Sequence, residues 1–158
     1  MTTSTTILRT LSDEEISISR DFAAPRELVF DAHTKPEHVS QWLLGPEGWS
    51  MPVCEIDLRP GGAWHYVWQH VDGERMEMHG EYREVVRPER IVNTERWGDE
   101  WPETLHTVTF TEQGDTTTVT QVVRYPSKDD RDAALATGMM TGVERSFDLL
   151  DQLLAQAQ

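Results

Sequence analysis

The sequence contains a single cysteine, Cys54, among its 158 residues. One thiol cannot form an intramolecular disulfide, so the chain shows no need for an oxidising compartment. The first twenty residues lack a basic stretch followed by an apolar run, and no window approaches the ~20 apolar residues of a membrane span. We therefore expect a soluble, cytoplasmic protein that does not insert into a membrane.

Positive charge is also scarce, because 14 lysines and arginines stand against 28 acidic residues, for a formal net charge of -14. Such a surface repels the phosphates of nucleic acids and of anionic membranes, so we expect no nucleic-acid partner. The length suits one domain with a real hydrophobic core. We expect a single domain over residues 1–158, in which residues 1–12 form either a flexible segment or an edge strand.

Motifs for catalysis and metal binding are missing as well. The sequence has no glycine-rich phosphate loop, no Ser-His-Asp order and no zinc-protease motif. Among the histidines, His33 and His38 are five residues apart across a predicted helix break, and His65, His70 and His79 lack a cysteine or carboxylate partner at metal-ligand spacing. Cys54 alternates with Ile56 and Leu58, which is typical of an inward thiol that behaves as a small apolar group. We predict no cofactor and no metal, and no catalytic set can be assigned from these patterns.

The first quarter of the chain predicts one strand and two short helices. Ile16, Ile18 and Phe22 alternate with polar residues, the period of a strand with one buried face. Pro25 and Pro36 each suit the first turn of a helix, where a fixed φ and a missing N–H cost nothing. The two helices should therefore follow the first strand directly.

Six strands and a long helix are predicted for the remainder. Residues 51–125 alternate between β-type segments and turns, and from Ser127 apolar residues return at helical spacing. Gly138 and Gly142 lie within this helix and each costs about 1 kcal/mol of helix propensity, so we predict that they allow close approach to the sheet. The predicted turns are Pro60-Gly61-Gly62, Asp72-Gly73, Arg87-Pro88-Glu89, residues 98–102 and Gln113-Gly114-Asp115.

These elements predict an α+β fold with a curved antiparallel sheet of about seven strands wrapped around the long C-terminal helix. A sheet in a chain this short buries one face and leaves the other to solvent. The order of elements resembles the START-like superfamily with its helix-grip fold. Within that superfamily, the sequence resembles the branch of bacterial proteins related to the activator of the Hsp90 ATPase. The segments that carry this resemblance are FAAPRELVFDA at 22–32, KPEH at 35–38, Trp42, DLRPGG at 57–62, GEYREV at 80–85 and PERIV at 88–92.

Aromatic and methionine side chains concentrate on a few strand positions of equal parity. Wide, polarisable side chains of this kind pack imperfectly and can leave room for a ligand. The alternative is that they simply fill the core, and spacing alone favours that alternative. The resemblance favours a cavity, because such relatives commonly hold one between sheet and helix. The predicted lining residues are Trp64, Tyr66, Trp68, Met76, Met78, Tyr82, Glu95, Trp97, His106, Met139, Val143 and Phe147.

Four polar residues are candidates for setting specificity inside such a cavity, namely His106, Glu95, Gln121 and His65. His106 shares its parity with Val108 and Phe110, so it is the better inward candidate. His65 has the opposite parity to Trp64, and both can face inward only if a bulge intervenes. A buried histidine that is simply hydrogen-bonded to a neighbour is nevertheless the commoner outcome.

The predicted function is the binding of a hydrophobic small molecule, lipid-like or aromatic, between the sheet and the C-terminal helix. The resemblance implies two alternatives. START-like relatives include cyclases and hydrolases, in which case His106, Glu95 or Tyr66 would act as acid or base. Eukaryotic Hsp90 activators carry an additional amino-terminal domain for which this chain has no room, so an Hsp90 homologue is the less expected partner. Monomer and homodimer both remain open.

Overall fold

An open antiparallel sheet and the helices that cover one of its faces make up the fold. The structure is a computed structural model that describes residues 5–158. Within that range there are eight strands and four helices. The strands are Ile7–Thr10 (β1), Glu15–Phe22 (β2), Trp49–Ile56 (β3), Ala63–His70 (β4), Arg75–Val86 (β5), Arg90–Trp97 (β6), Thr104–Gln113 (β7) and Thr116–Arg124 (β8); the helices are Arg26–Thr34 (α1), Pro36–Trp42 (α2), Lys128–Ala136 (α3) and Met139–Gln156 (α4).

The sheet has the strand order β1-β2-β8-β7-β6-β5-β4-β3. Strands β3 to β8 form the predicted antiparallel meander, and β2 then pairs with the last strand, so that Ile18 lies opposite Gln121. The α+β helix-grip prediction is confirmed, with one strand more than expected in the described range. The extra strand is β1, which forms an edge of the sheet; residues 1–4 of the predicted N-terminal segment lie outside the described residues.

Helices α1 and α2 form the predicted pair after β2. Pro36 occupies the first turn of α2, where its φ is already helical. The indole nitrogen of Trp42 donates to the carbonyl of Ala32 at 2.8 Å, which joins the end of one helix to the other. Val29 and Phe30 of α1 are fully buried, so the pair is held by its apolar face as well as by this hydrogen bond.

The C-terminal helical region differs from the single helix that the periodicity predicts. Ser127 caps α3 by accepting a hydrogen bond from the Asp130 N–H at 3.1 Å, and α3 ends before a break at Gly138. Gly138 has a φ of 79°, a left-handed conformation that glycine adopts without strain. The prediction that Gly138 allows close approach to the sheet is therefore wrong, because a Cβ there would meet nothing within 4 Å. At Gly142 a Cβ would lie 3.2 Å from Pro46 Cδ, so the close approach is to the α2–β3 loop.

The hydrophobic core lies between the concave face of the sheet and the helices. Phe147 of α4 meets Phe22 edge-on at 5.5 Å, and Phe30 of α1 meets Phe110 of β7 at 5.3 Å. Each such ring contributes about 1.5–3 kcal/mol through burial. The backbone of α4 runs closer to α1 and α2 than to the strands. Side chains alone therefore bridge the space between α4 and the middle of the sheet.

His33 of α1 is packed edge-on against Trp42 and Phe110, with ring centroids 4.9 and 5.2 Å apart. Its Nδ1 donates to the Val29 carbonyl at 2.8 Å, which fixes the neutral tautomer. Burial lowers the pKa of His33 from 6.5 to about 4, although the hydrogen bond to Val29 opposes this. The unfolded chain therefore binds the proton first, and this contribution to stability is complete above about pH 6.5 and lost as the pH falls towards 4.

We expect the wild-type protein to lose about 2 kcal/mol more stability between pH 7.5 and pH 4.5 than a His33→Gln variant does. Glutamine can also donate to the Val29 carbonyl but does not titrate, and the ring's partial exposure keeps the effect below the full value. Urea denaturation at the two pH values measures the difference. The exposed His79→Gln variant serves as control and should keep the wild-type pH dependence. Equal losses for wild type and His33→Gln would contradict the assignment.

Candidate functional site

A cross-strand row of residues crosses the middle of the concave face from β4 to the end of β8. Trp64 lies opposite Gly80, the register of Met78 with Trp97 places Gly80 opposite Glu95, and Glu95 lies opposite Thr104. Tyr125 follows directly after β8 on the same face. We call Trp64, Gly80, Glu95, Thr104 and Tyr125 the central row. Gly80 contributes no side chain, so the indole of Trp64 lies over it.

The indole N–H of Trp64 is a buried donor without an acceptor. The residue is 3 % exposed, and its Nε1 has no hydrogen-bond partner in the described part of the chain. Its ring lies 4.7 Å from that of Tyr66, so the indole is held by packing. Leaving a buried donor unpaired costs about 1–3 kcal/mol. The nitrogen is thus free to donate to a group from outside the chain.

Three buried tyrosines lie on the concave face with the central row, and one of them, Tyr125, belongs to that row. Tyr66, Tyr82 and Tyr125 are each at most 7 % exposed. Burial is the main cause of a raised pKa in all three: well above the usual value for Tyr66, strongly raised for Tyr82, and about 12 for Tyr125. The nearby carboxylate of Glu95 adds to the rise for Tyr66 and Tyr125. All three hydroxyls therefore remain protonated, and each can act as a hydrogen-bond donor near neutral pH.

His106 lies at the centre of a polar cluster with Gln121, Thr104 and Glu95. The ring is 5 % exposed, its Nδ1 lies 2.5 Å from Gln121 Nε2, and its Nε2 lies 3.2 Å from Glu95 Oε2. Because the amide nitrogen donates to Nδ1, the ring proton is on Nε2 and is donated to the carboxylate. The hydroxyl of Thr104 lies 2.9 Å from the same Nε2. The histidine is thus fixed on both sides.

Glu95 receives its other hydrogen bond from an indole. Trp97 Nε1 donates to Glu95 Oε1 at 3.1 Å. No lysine or arginine within residues 5–158 forms an ion pair with this carboxylate, whose side chain is 16 % exposed. Neutral donors alone therefore hold Glu95, and its negative charge remains uncompensated on the concave face.

The aromatic part of the site continues from Trp64 to the rim of the sheet. Trp68 stacks on Trp97 with ring centroids 5.3 Å apart and an interplanar angle of 12°. Trp97 and Met76 lie at the rim, where they are 36 % and 38 % exposed. Met78, directly opposite Tyr66, is buried beside them. The rings form a continuous apolar surface that opens at one end of the sheet.

The residues that α4 contributes divide between two places. Met139 and Val143 are half-buried and pack against the core from the first half of α4. Phe147 lies deeper, against Phe22 and Trp42. The structure thus brings most predicted lining residues to one face and places Phe147 in the neighbouring core. Sequence reasoning missed Thr104 and Tyr125, although the parity of His106 and Val123 would have indicated both.

Neither His65 nor Cys54 supplies a reactive group to the concave face. His65 lies on the outer face, with Nδ1 3.2 Å from Glu55 and Nε2 2.5 Å from Glu77. These two hydrogen bonds raise the pKa of His65. Its inward placement is therefore excluded by the register, as its parity indicated. Burial raises the pKa of Cys54 to about 11, so the thiol stays protonated and unreactive.

Two concavities among the described residues lie away from α4. One, of about 550 Å³, is lined by residues 12–14 and 126–128, and the other, of about 310 Å³, by residues 55–57 and 63–65. Both are open surface clefts. On the concave face, Trp64, Tyr66 and Tyr82 are at most 7 % exposed in this conformation. Among residues 5–158 no three potential ligands gather as a metal centre would need, and no helix is long and apolar enough to cross a membrane.

Comparison with known proteins gives one family and many similar structures. The family described as Activator of Hsp90 ATPase homolog 1-like protein matches residues 23–155. A crystal structure from Rhodobacter sphaeroides superposes with a TM-score of 0.91 at 28 % identity, covering 96 % of this chain and 99 % of that one. Protein Ms6760 from Mycobacterium smegmatis gives 0.85 at 26 % identity, covering 96 % of both chains.

A more distant structure supports the fold alone. The AHSA1 protein from Silicibacter pomeroyi superposes with a TM-score of 0.75 at 22 % identity, covering 91 % of this chain and 99 % of that chain. No curated protein matches this sequence significantly. The full-length coverage of these structures agrees with the order of strands and helices described above.

Proposed function

Because the chain belongs to the family of Activator of Hsp90 ATPase homolog 1-like proteins, we propose that it binds an apolar small molecule, aromatic or lipid-like, between the concave face of the sheet and α4. The family's fold is of a ligand-binding or co-chaperone-like kind. The observation that carries the proposal is the buried Trp64 N–H without an acceptor. A guest with an oxygen or nitrogen lone pair would satisfy this donor and remove its cost.

The surface around Trp64 supports the apolar part of the guest. Trp64, Tyr66 and Trp68 lie side by side, with successive ring centroids 4.7 and 5.8 Å apart. Flat rings of this kind bind apolar molecules by offset or edge-to-face contact, and each Å² removed from water contributes about 25 cal/mol. The tyrosine hydroxyls add donors at fixed positions. Such a site selects for an apolar body that carries a few polar atoms.

Access to the buried part of this surface, at Trp64 and Tyr66, requires movement of the helical cover. Ser146 and Arg145 bind the Gly45 N–H and carbonyl at 2.9 and 2.8 Å, so the middle of α4 is tied to the α2–β3 loop. The preceding turn, with Met139 and the joint at Gly138, has no such tie in the described hydrogen bonds. Methionine changes rotamer readily. The guest therefore enters beneath the α3–α4 joint, with Met139 displaced.

A bulky residue beneath α4 tests this directly. We expect Val143→Trp to weaken the binding of 1-aminoanthracene, a neutral fluorescent aromatic probe, about tenfold or more, because the added ring occupies the guest's space. The matched control is Val71→Trp, at a turn position that is 86 % exposed, and it should bind like the wild type. Fluorescence titration gives the dissociation constants, and circular dichroism confirms that both variants fold.

Two results would count against the proposal. One is saturable binding of the probe by Val143→Trp with wild-type affinity. The other is a wild-type protein that binds no apolar probe and, in native mass spectrometry after purification from cells, retains no small molecule.

A catalytic role has one observation in its favour, the pairing of His106 with Glu95 across 3.2 Å. Such a pair can move a proton when one ring nitrogen faces a substrate. Here Gln121 occupies Nδ1, and Nε2 donates to Glu95, so neither nitrogen is available. The geometry therefore favours positioning of the carboxylate over acid–base chemistry, and we rank binding first.

A further inference from the structure

The charge of the concave face narrows the class of guest. Glu95 carries its carboxylate there, and its contacts within the described residues are neutral donors. The one buried arginine of that face, Arg20, is already paired with three acids of α4, so it cannot neutralise a guest. Arg145 of α4 is likewise engaged, at the carbonyls of the α2–β3 loop. The face available to a guest is thus net negative.

The hydrogen bonds of Glu95 do not themselves require a negative charge. Its two partners, Trp97 Nε1 and His106 Nε2, are ordinary N–H donors that a neutral amide oxygen could also accept. A carboxylate at 16 % exposure carries a desolvation cost that an amide avoids. The negative charge of Glu95 would therefore strengthen the binding of a further hydrogen-bond donor or a cation at the same oxygens.

The surroundings amplify the effect of this carboxylate on a bound molecule. Aromatic walls exclude water, so the Coulomb interaction is stronger than in bulk solvent. Trp97 donates its indole N–H to Glu95 and stacks on Trp68, so an aromatic wall borders the carboxylate. Asp99, Glu100 and Glu103, on the loop that follows Trp97, add charge of the same sign at the rim. All these contributions disfavour an anionic head group and favour a cationic one.

We propose that the guest is an apolar, preferably aromatic molecule whose head group is an amine or another hydrogen-bond donor, and that the site rejects carboxylates such as fatty acids. The head group donates to Glu95, and the Trp64 N–H meets an acceptor elsewhere on the guest, either a lone pair or the π face of an aromatic ring. This inference rests on the proposed binding function and adds the chemical class of the ligand to it.

Three naphthalenes of nearly equal size test the class. At pH 7.5 we compare 1-naphthylmethylamine, 1-naphthalenemethanol and 1-naphthoic acid by isothermal titration calorimetry. The amine should bind about tenfold or more tightly than the acid, with the alcohol between them. Glu95→Gln should remove most of that preference, while Glu27→Gln, the same charge change on the exposed side of α1, should keep it. Thermal melts confirm that both variants fold.

The outcomes separate this inference from the function on which it rests. If the acid binds as tightly as the amine, or if Glu95→Gln keeps the full preference, the ligand class is wrong while binding stands. If none of the three compounds binds and 1-aminoanthracene does not bind either, the binding function itself fails and the ligand class falls with it.

Discussion

Replacing Arg20 by methionine is expected to destabilise the protein by about 3 kcal/mol. The Arg20 side chain is fully buried on β2, yet its guanidinium contacts Asp151, lies 2.9 Å from Asp148 and lies 3.9 Å from Glu144. The three acids lie on one side of α4. The guanidinium carbon also stands 5.6 Å from the ring centre of Phe22. One side chain thus joins the second strand to the last helix.

The expected loss has two physical parts. Without Arg20 the carboxylates of Glu144, Asp148 and Asp151 repel one another and lose their shared cation. Methionine restores much of the volume, so the cavity contribution is small. The acids keep 47 %, 56 % and 33 % of their side-chain surface exposed, and water therefore compensates them in part. For that reason we place the effect at the lower end of the range for broken buried pairs.

Urea denaturation at neutral pH measures this loss. The control is Arg83→Met, because Arg83 and Glu81 form an exposed pair at 3.7 Å that contributes little. The control should stay within about 0.5 kcal/mol of the wild type. An Arg20→Met variant within about 1 kcal/mol of wild type would show that the acids of α4 do not depend on this arginine.

Gly80→Ala is expected to cost about 3 kcal/mol or more, and it should also disturb the proposed site. A Cβ on Gly80 would lie 1.9 Å from the carbonyl oxygen of Thr94 and 2.7 Å from Trp64 Nε1. The first atom belongs to the backbone of β6, so it can move only if β5 and β6 separate. The second is the indole edge that we assign to the guest. A single added methyl group would therefore clash both with the backbone of the sheet and with the indole of the proposed site.

The matched control for Gly80 is Gly114→Ala. Gly114 lies in the β7–β8 turn with a φ of 61°, and a Cβ there would meet nothing within 4 Å. Alanine should cost only about 1 kcal/mol there, because of the left-handed backbone. Thermal and urea unfolding of the two variants give the comparison. Equal losses would mean that the strands relax around the Gly80 methyl group and that the contact with Thr94 is not limiting.

The order of the strands and helices could be predicted because each signal is local. Period-two alternation identified β2, and prolines marked α1 and α2. Strand β1 could be predicted only as one of two alternatives, an edge strand or a flexible segment, because Ile7–Thr10 shows no alternation and all four of its side chains are exposed. The break at Gly138 was missed because apolar residues continue at helical spacing on both sides of it. A backbone conformation that interrupts a helix leaves no periodic signal of its own.

For the candidate site, the alternation of residues along each strand predicts which face a side chain occupies, but not which distant residues it contacts. Parity favoured an inward His106 and left Glu95 as one of several candidates, and the structure places His106 Nε2 3.2 Å from Glu95 Oε2. Parity also puts Arg20 on the face of Ile18 and Phe22, but its acidic partners lie at the other end of the chain. Only tertiary packing brings them together. The same holds for Phe147, whose helix position predicted a lining role and whose ring instead packs on Phe22.

The pairing of β2 with β8 has a consequence for biosynthesis. Ile16 must find Val123, about a hundred residues further along, a high contact order that slows folding. Strands β3 to β8 are neighbours both in sequence and in the sheet, so each can pair with the preceding strand while translation continues. Strand β2 and α4 can complete the fold only after the residues of β8 and α4 have left the ribosome. Until then the concave aromatic face stays uncovered, and the nascent chain is most exposed to self-association at that stage.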